Sequence, residues 1–261
     1  MCRHLAYLGP ATSARALLVD PPRGLAAQAR APRFVSLPSP DGFGVGWYEH
    51  GKAHRRRWTS PIWETSPEQL AGIRSAAIIA SARAATPGGP IEEASTAPFL
   101  RDGHLFSLNG YVEGYRSGVR ERLLGMVSRT RREGIEGDVD SSVCFALVLD
   151  QLDLQVSLRE ALVNVHRILR RFSPAPLNLL LTDGRRIAAT ASGHSLWVRH
   201  TASSAIVASE PLEDDPAWTP VPDDHVIEVS SGAVSTTAID APFVEVESPC
   251  ARPARSLLGS D

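Results

Sequence analysis

The sequence predicts an α+β protein built from two sheets and a set of helices. The first observation is the order of the segments, because strand-like runs come first, helical patterns occupy the middle, and strand-like runs return after Pro176. The second is an Asp183-Gly184 turn between two apolar runs, a pattern typical of an antiparallel hairpin. Repeated βαβ units would need strands and helices to alternate, so two mainly antiparallel sheets packed with helices fit this order better.

The N-terminal segments predict short strands separated by a long loop. Residues 3–8 are apolar and are followed by a Gly-Pro pair, so we expect a strand that ends there. Residues 11–40 contain many prolines, which predicts a loop with one short helix at most. Residues 43–49 alternate with glycines, which indicates a strand that another backbone approaches closely, and residues 52–58 follow as its hairpin partner.

The spacing of apolar residues predicts the helices and strands in the rest of the chain. Helical patterns are expected over residues 66–73, 117–132, 141–152 and 157–171. Apolar runs and alternation predict strands over residues 76–83, 105–108, 177–182, 186–191, 195–199, 205–209 and 226–230. We expect a single domain over residues 2–246, with the polar, proline-containing residues 247–261 forming a flexible tail.

Composition argues against several classes of function. The formal net charge of −2 argues against a surface for nucleic acid. Three cysteines without CxxC spacing predict neither a disulfide framework nor a zinc ribbon, and His50 and His54 fall in a predicted hairpin, so we expect no metal and no cofactor. No apolar run approaches ~18 residues and no signal-peptide pattern opens the chain, so we expect a cytoplasmic protein without a membrane segment.

The candidate nucleophile is Cys2, which directly follows the initiator methionine. Removal of Met1 would leave a thiol and a free α-amine on the same residue. The amine titrates near ~8 and the thiol near ~8.5 in model compounds, so the amine can act as the base for its own nucleophile. The alternative is a cysteine without a role, and the segments that follow favour the catalytic interpretation.

Three further segments offer the other groups that amide cleavage needs. Arg83 ends a predicted strand, where a guanidinium can hold a carboxylate in a bidentate pair. Asn109 and Gly110 offer a side-chain amide and a backbone N–H, which are suitable donors for an oxyanion. Asp140 opens a predicted helix and can hold an ammonium group. The simpler alternatives are a solvated surface arginine for Arg83, an Asn-Gly turn for Asn109 and Gly110, and a helix N-cap for Asp140.

In this order, the segments resemble the motifs of the class II glutamine amidotransferases, a family of N-terminal-nucleophile hydrolases. That family has an N-terminal Cys, an Arg-x-Ala-Thr segment, an Asn-Gly pair and an Asp that opens a helix. The matching positions in this chain are Cys2, Arg83 with Thr86, Asn109-Gly110 and Asp140. The resemblance covers roughly residues 2–230 and implies a four-layer αββα sandwich of two mainly antiparallel sheets.

Longer segments narrow the resemblance to the small, stand-alone γ-glutamyl hydrolases of ergothioneine biosynthesis. They are residues 2–10, 41–48, 60–63, 97–99, 177–184 and 208–211, the last with the sequence Ala-Ser-Glu-Pro. This branch implies hydrolysis of the γ-glutamyl amide of γ-glutamyl-hercynylcysteine sulfoxide. The alternatives are a glutaminase or general γ-glutamyl amidohydrolase, which would supply ammonia to a partner, and a non-catalytic binding module. The oligomeric state stays open.

The resemblance also implies a role for each site residue. Cys2 forms a thioester, and Asn109 and Gly110 stabilise the oxyanion. Arg83, helped by Thr86, grips the α-carboxylate of the substrate. Asp140 binds its α-ammonium group.

The chain departs from the pattern of many family members at two positions. Ala84 stands where many have Trp, and Leu108 stands where many have His, which favours a larger γ-glutamyl amide over glutamine. The leaving amine of the resembled branch carries a trimethylammonium group, which aromatic side chains bind well. We expect one or two of the front aromatic residues to lie at the pocket, namely Trp47, Tyr48, Trp58 and Trp63.

Overall fold

A computed structural model describes residues 2–35, 37–230 and 233–239 of the chain. The predicted flexible tail over residues 247–261 lies outside these residues. Within the described ranges, none of the helices has the length and apolar character needed to cross a membrane.

Strands account for both ends of the described chain, and helices lie between them and near the front. The strands are β1 (Arg3–Ser13), β2 (Phe43–Glu49), β3 (Lys52–Trp58), β4 (Arg74–Ala82), β5 (Phe99–Arg101), β6 (His104–Gly110), β7 (Leu177–Thr182), β8 (Ile187–Ala191), β9 (Trp197–His200), β10 (Ala205–Ala208), β11 (Thr219–Pro220), β12 (His225–Ser230) and β13 (Ala233–Ala238). The α-helices are α1 (Ala14–Leu18), α2 (Leu25–Arg30), α3 (Pro67–Ala71), α4 (Val119–Met126), α5 (Arg129–Arg132), α6 (Asp140–Asp153) and α7 (Leu158–Arg170).

The strands form two antiparallel sheets. The first has the order β11-β9-β10-β1-β4-β2-β3, and the second has the order β13-β12-β8-β7-β6-β5. Every pairing among these strands is antiparallel. The predicted class, an α+β protein with two antiparallel sheets, is therefore confirmed.

Side-chain alternation stacks these sheets into four layers. In β1, Leu5 and Tyr7 pack against the layer that contains α1, α2 and α3, whereas Ala6 faces the second sheet. In β7, Leu180 faces the first sheet, whereas Leu179 packs against the layer of α4, α6 and α7. The result is the αββα sandwich that the family resemblance implied. The first half of β1 and the interior of β6 are buried on both faces, so the start of β1 and the end of β6 provide rigid supports for a site.

The strand that was expected to end near residue 8 is longer in the structure. β1 continues to Ser13 through an irregularity in its pairing with β4 between Leu8 and Thr12. Tyr7 Oη donates to Pro10 O at 2.7 Å, which holds the chain across this irregularity. The loop predicted over residues 11–40 is also wrong in part, because it contains two short helices, α1 and α2.

The predicted helix over residues 117–132 is divided into α4 and α5. Ser128 lies between them, and its side chain accepts a hydrogen bond from Arg131 N, which starts α5 as a new helix. Asp150 on α6 accepts from Ser128 N at 2.8 Å and fixes this break. The close backbone approach expected at the glycines of residues 43–49 is confirmed, because a Cβ on Gly44 would lie 2.4 Å from Ala97 O.

Candidate active site

The N-terminal end of β1 lies beside the C-terminal end of β4. The strands are antiparallel with Arg3 opposite Ala82, so the residues that flank them, Cys2 and Arg83, come from neighbouring strand ends. The Cys2 thiol is half-buried, and its Sγ lies 4.0 Å from Ala84 O. Arg3 Nη1 donates to Cys2 O at 2.8 Å and holds the backbone of the candidate nucleophile. The sheet register thus brings the segments of two predicted site residues together.

Asn109 lies near the end of β6, in the sheet opposite β1, and is fully buried. Its Nδ2 donates to Ser209 Oγ at 3.4 Å, and Ser209 Oγ in turn donates to His4 O at 3.2 Å. Asn109 Oδ1 is buried and has no hydrogen-bond partner among the described residues. The side-chain amide therefore reaches the start of β1, two residues from Cys2, with one N–H and one acceptor still available.

Gly110 is the last residue of β6 and has a φ of 144°, a conformation that side chains rarely adopt. A Cβ at this position would lie 1.9 Å from Pro176 O, so only glycine fits. Asn109 pairs with Asn178 of β7, which means that the Asn-Gly pair belongs to the strand itself. The simpler interpretation of this pair as a hairpin turn is wrong.

Asp140 is the first residue of α6, and the N-cap position before it is occupied by Val139. Its Oδ2 accepts from Val112 N and its Oδ1 accepts from Ser141 N, both at 2.7 Å. Burial raises the pKa of Asp140 above its ordinary value, although these hydrogen bonds and the charge of Arg83 oppose the shift. The carboxylate is therefore held in a fixed orientation within the electrostatic reach of the arginine.

Arg83, Thr86 and Asp140 line one cavity of about 300 Å³, called here the Arg83 cavity. The Arg83 side chain is buried, and its Nη1 has no hydrogen-bond partner among the described residues. A surface arginine, the simpler interpretation, is wrong. A buried cation without a partner is unfavourable, so this cavity suits an anionic group such as a carboxylate. Because Asp140 lies on the same wall, the cavity can accept a cation beside that anion.

A second cavity of about 500 Å³, called here the Asp41 cavity, adjoins the first. The two share Thr86, Pro87 and Tyr111 in their walls. Ala84 and Gly110 also line the second cavity, so it begins at the Cys2 contact and at one of the predicted oxyanion donors. The Asp41 cavity therefore borders the reaction centre that the sequence predicts, although Cys2 itself lines neither cavity.

A buried carboxylate contacts Arg3, the residue that follows Cys2. Glu210 is fully buried, and its Oε1 lies 3.4 Å from Arg3 Nε. Its Oε2 lies 3.3 Å from Arg23 Nη2, and Arg33 N donates to both of its oxygens at 3.1 Å. Burial lowers the pKa of Arg3, and the neighbouring charge of Glu210 opposes this effect. Glu210 therefore joins the start of β1 to the segment that leads into the Asp41 cavity.

The expectation that one or two of the front aromatic residues lie at the pocket is wrong. Trp58 stacks on Phe43 with ring centroids 4.3 Å apart, and Trp47 stacks on His54. Tyr48 Oη lies within hydrogen-bond distance of Gly103 O and Thr182 O, and its one hydrogen is shared between these acceptors on the side of the other sheet. Trp63 packs in the core beneath the front helices. None of these four residues lines the Arg83 cavity or the Asp41 cavity.

Tyr111, Asp41 and Glu210 are site residues that sequence reasoning did not single out. Tyr111 directly follows the Asn109-Gly110 pair, which is a signal that could have found it. Asp41 and Glu210 fall within segments that carried the resemblance, but nothing local in those segments indicates that they meet Arg83 or Arg3. Among the described residues, no group of three or more His, Cys, Asp and Glu side chains is placed to hold a metal ion.

The arrangement supplies the groups for nucleophilic cleavage of an amide: a thiol, amide donors nearby, and a cavity for a zwitterion. The family described as glutamine amidotransferases class-II matches residues 26–202 of the chain. Gamma-glutamyl-hercynylcysteine sulfoxide hydrolase of Mycobacterium tuberculosis (strain CDC 1551 / Oshkosh) is 36% identical over 246 residues, which cover 92% of this chain and 97% of that protein. The protein of the same name from Mycolicibacterium smegmatis is also 36% identical over 246 residues, with 92% and 100% covered.

Among solved structures, glutamine phosphoribosylpyrophosphate amidotransferase of B. subtilis is similar to this chain with a TM-score of 0.68 and 14% identity. The match covers 93% of this chain and 50% of that one. At this identity the likeness concerns the fold alone, and it agrees with the two-sheet sandwich described above.

Proposed function

The chain belongs to the class II glutamine amidotransferases, and on that premise we propose that it hydrolyses γ-glutamyl-hercynylcysteine sulfoxide to glutamate and hercynylcysteine sulfoxide. The observation that carries the proposal is the Arg83 cavity, which is lined by a fixed carboxylate and by a buried guanidinium whose Nη1 has no partner among the described residues. The α-carboxylate and α-ammonium of a γ-glutamyl group require that pair of charges. Thr86, which lines the same cavity, assists Arg83 in binding the carboxylate.

The identity of the leaving amine rests on the relatives. Two proteins that are 36% identical over 92% of this chain are named for the sulfoxide substrate. Ala84 stands where many family members have Trp, and it lines the Asp41 cavity, which leaves room for an amine larger than ammonia. Leu108 instead packs against the helices α4, α6 and α7 and lines neither cavity. The size of the Asp41 cavity, about 500 Å³, is compatible with such a group.

In the proposed mechanism, removal of Met1 makes Cys2 the N-terminal residue. Its α-amine takes the thiol proton, and the thiolate attacks the γ-carbonyl carbon of the substrate. When the tetrahedral intermediate collapses, the C–N bond breaks, and the α-ammonium gives its proton to the leaving nitrogen. Water then attacks the thioester, and its proton passes through the α-amine to the departing sulfur. Glutamate and the free Cys2 thiol result.

Asn109 and Gly110 are proposed to stabilise the oxyanion of this intermediate. One Nδ2 hydrogen of Asn109 engages Ser209, and the other is available for the oxyanion together with the Gly110 N–H. The orphaned Asn109 Oδ1 suits the α-ammonium of Cys2 as an acceptor. Loss of one oxyanion donor typically costs about 3 kcal/mol of transition-state stabilisation. Fixing both donors at the end of a buried strand keeps that stabilisation independent of loop motion.

The test is to measure glutamate release from γ-glutamyl-hercynylcysteine sulfoxide and, separately, from glutamine. Mass spectrometry first establishes that Met1 is absent. We expect rapid release from the sulfoxide, little from glutamine, and no release from either by the Cys2→Ala variant, which should keep the fold. A Cys2→Ala protein that still hydrolyses the sulfoxide would contradict the thioester mechanism. Preference for glutamine would instead support an ammonia-supplying glutaminase.

A further inference from the structure

Neither Arg83 nor Asp140, the two charges proposed to bind the γ-glutamyl group, lines the Asp41 cavity. Leu37, Pro38 and Pro40 form one wall, and the remaining wall comes from residues 84–87 and the end of β6. Its lining is mainly apolar, whereas Arg83 and Asp140 line the neighbouring cavity. A γ-glutamyl group held by those two charges has its scissile bond near Ala84 and Gly110, so the amine beyond that bond projects into the Asp41 cavity.

Of the residues that the structure describes, one with a charged side chain lines the cavity, and that charge is negative. Asp41 Oδ2 accepts from Ala85 N at 2.8 Å, and the hydrogen bonds of the described residues leave Oδ1 unused. Among the described residues, no lysine, arginine or histidine lines the cavity. Tyr111 is part of the wall and is 40% exposed, so an aromatic ring is accessible in the same cavity. An apolar wall, one carboxylate and one aromatic ring match the chemistry of a quaternary ammonium group.

Backbone hydrogen bonds hold this wall in place. Ser39 N donates to Ala29 O at 2.7 Å, and Asp41 N donates to Arg83 O at 2.9 Å. At the other end of the segment, Arg33 N is bound by the buried Glu210. The position of Asp41 is therefore tied directly to the residue that binds the γ-glutamyl carboxylate. A fixed distance between Asp41 and Arg83 suits a substrate that carries charged groups at both of its ends.

We infer that the Asp41 cavity is the leaving-group subsite and that Asp41 with Tyr111 selects amines carrying a trimethylammonium group. The inference rests on the proposed function, since the hercynyl part of the proposed leaving amine carries such a group. Asp41 is thus a specificity-determining residue, and it takes no part in proton transfer.

A matched pair of substrates tests the inference separately from the proposed function. The first is the γ-glutamyl amide of (8-aminooctyl)trimethylammonium, whose charge lies nine bonds from the amide nitrogen as in the hercynyl group. The second is its neutral isostere, γ-glutamyl 9,9-dimethyldecylamide. The readout is the ratio of their kcat/KM values. We expect the unaltered protein to prefer the cationic amide about fivefold, the scale of one partly exposed ion pair. γ-Glutamyl-hercynylcysteine sulfoxide is assayed in parallel to test the proposed function itself.

Three variants examine the source of the preference. Asp41→Asn keeps an acceptor for Ala85 N and removes the charge, so the ratio should fall to about one. Leu37 is 58% exposed and tolerates substitution, so Leu37→Lys should lower the ratio and Leu37→Glu should preserve or raise it. The control is Leu154→Lys, a comparably exposed leucine beyond the far end of α6, which should leave the ratio unchanged.

The outcomes distinguish the proposed leaving-group subsite from the proposed function. A ratio near one in the unaltered protein, or a preference that survives both Asp41→Asn and Leu37→Lys, overturns the inference even if the sulfoxide is hydrolysed. Failure to hydrolyse either member of the pair overturns it as well. Hydrolysis of the cationic amide with the expected variant effects, but none of the sulfoxide, supports the subsite and contradicts the proposed function. If Asp41→Asn does not fold, the opposite effects of the two Leu37 variants decide.

Discussion

Arg83 and Asp140 show how single residues determine what the site can bind. Both residues line one cavity. Backbone N–H groups bind the Asp140 carboxylate, whereas Arg83 is fixed through its own main-chain N and O, which pair with Gly42 and Asp41. Arg83 keeps Nη1 unpaired among the described residues, and burial raises the pKa of Asp140. A direct ion pair would occupy both charges and leave nothing for a ligand. Separate anchoring leaves both available for the two ends of an amino-acid head group.

The raised pKa of Asp140 makes binding sensitive to pH. Below its pKa the carboxyl is neutral and loses its attraction for the substrate's α-ammonium, so KM should rise as pH falls. Because burial raises that pKa, the increase should begin at a higher pH than for an ordinary aspartate. We expect Asp140→Asn to raise KM about tenfold and to remove this acidic limb. The measurement is KM from about pH 4 to 8 for the sulfoxide substrate.

An N-acylated γ-glutamyl analogue is the control for this prediction. It has no α-ammonium group, so its KM should change little in Asp140→Asn. Equal losses for the two substrates would mean that Asp140 only supports the start of α6 through its hydrogen bonds to Val112 and Ser141. The side-chain oxygen of Asn can still accept one of those two hydrogen bonds, which limits the structural effect of the substitution.

At the scale of elements, most strands were predictable because each has a local signature. β2, β3, β7 and β8 match their predicted ranges closely, since alternation and turn residues indicate hairpins directly. β1 was predicted too short, because its continuation depends on pairing with β4 and on the Tyr7 hydroxyl bond to Pro10. β5 and β13 are edge strands of the second sheet and have no such signature.

The residues of the candidate site also divide into those that a local pattern predicts and those that it does not. Cys2, Arg83, Asn109, Gly110 and Asp140 could be predicted because each belongs to a short motif at an element end. Asp41 and Glu210 could not, because their roles depend on contacts between segments far apart in the chain. Glu210, for example, meets a residue 177 positions away when Arg33 N donates to it. No local pattern indicates that a carboxylate will be buried among three arginine-bearing segments.

Glu210 should therefore stabilise the junction of β1 with the segment leading to Asp41. Glu210→Gln removes the charge that opposes the buried Arg3, and breaking such a buried pair typically costs about 3 kcal/mol of unfolding free energy. Urea denaturation measures this loss. The matched control is Glu213→Gln, because Glu213 pairs with Arg199 where both are about one-third exposed, and we expect a loss below about 1 kcal/mol. Similar losses in both variants would mean that burial of Glu210 adds nothing.

At the scale of the whole molecule, the four layers enclose several histidines as neutral rings. Burial lowers the pKa of His4 to about 3, and it lowers the pKa of His166 and of His194 to about 4. Arg3 adds to the effect for His4 and His194, and Arg170 adds to it for His166. Both ring nitrogens of His4 and His166 are buried without hydrogen-bond partners among the described residues. These histidines therefore stay unprotonated in the folded protein at pH values at which the same residues bind protons in the unfolded chain.

This exclusion predicts loss of stability in mild acid. An unfolded histidine titrates near ~6.5, above each of these folded pKa values, so the stabilisation is complete above that pH. It is lost as pH falls from about 6.5 to 4, at up to about 1.4 kcal/mol per pH unit for each histidine. His166→Leu should reduce the slope of unfolding free energy against pH by about one proton, with little change at pH 8, because it replaces an unpartnered buried ring. The measurement is urea denaturation across this pH range, with His200→Leu, at an exposed position on β9, as the control. An unchanged slope in His166→Leu would mean that the ring becomes protonated within the folded protein, through an opening of α7 from the second sheet.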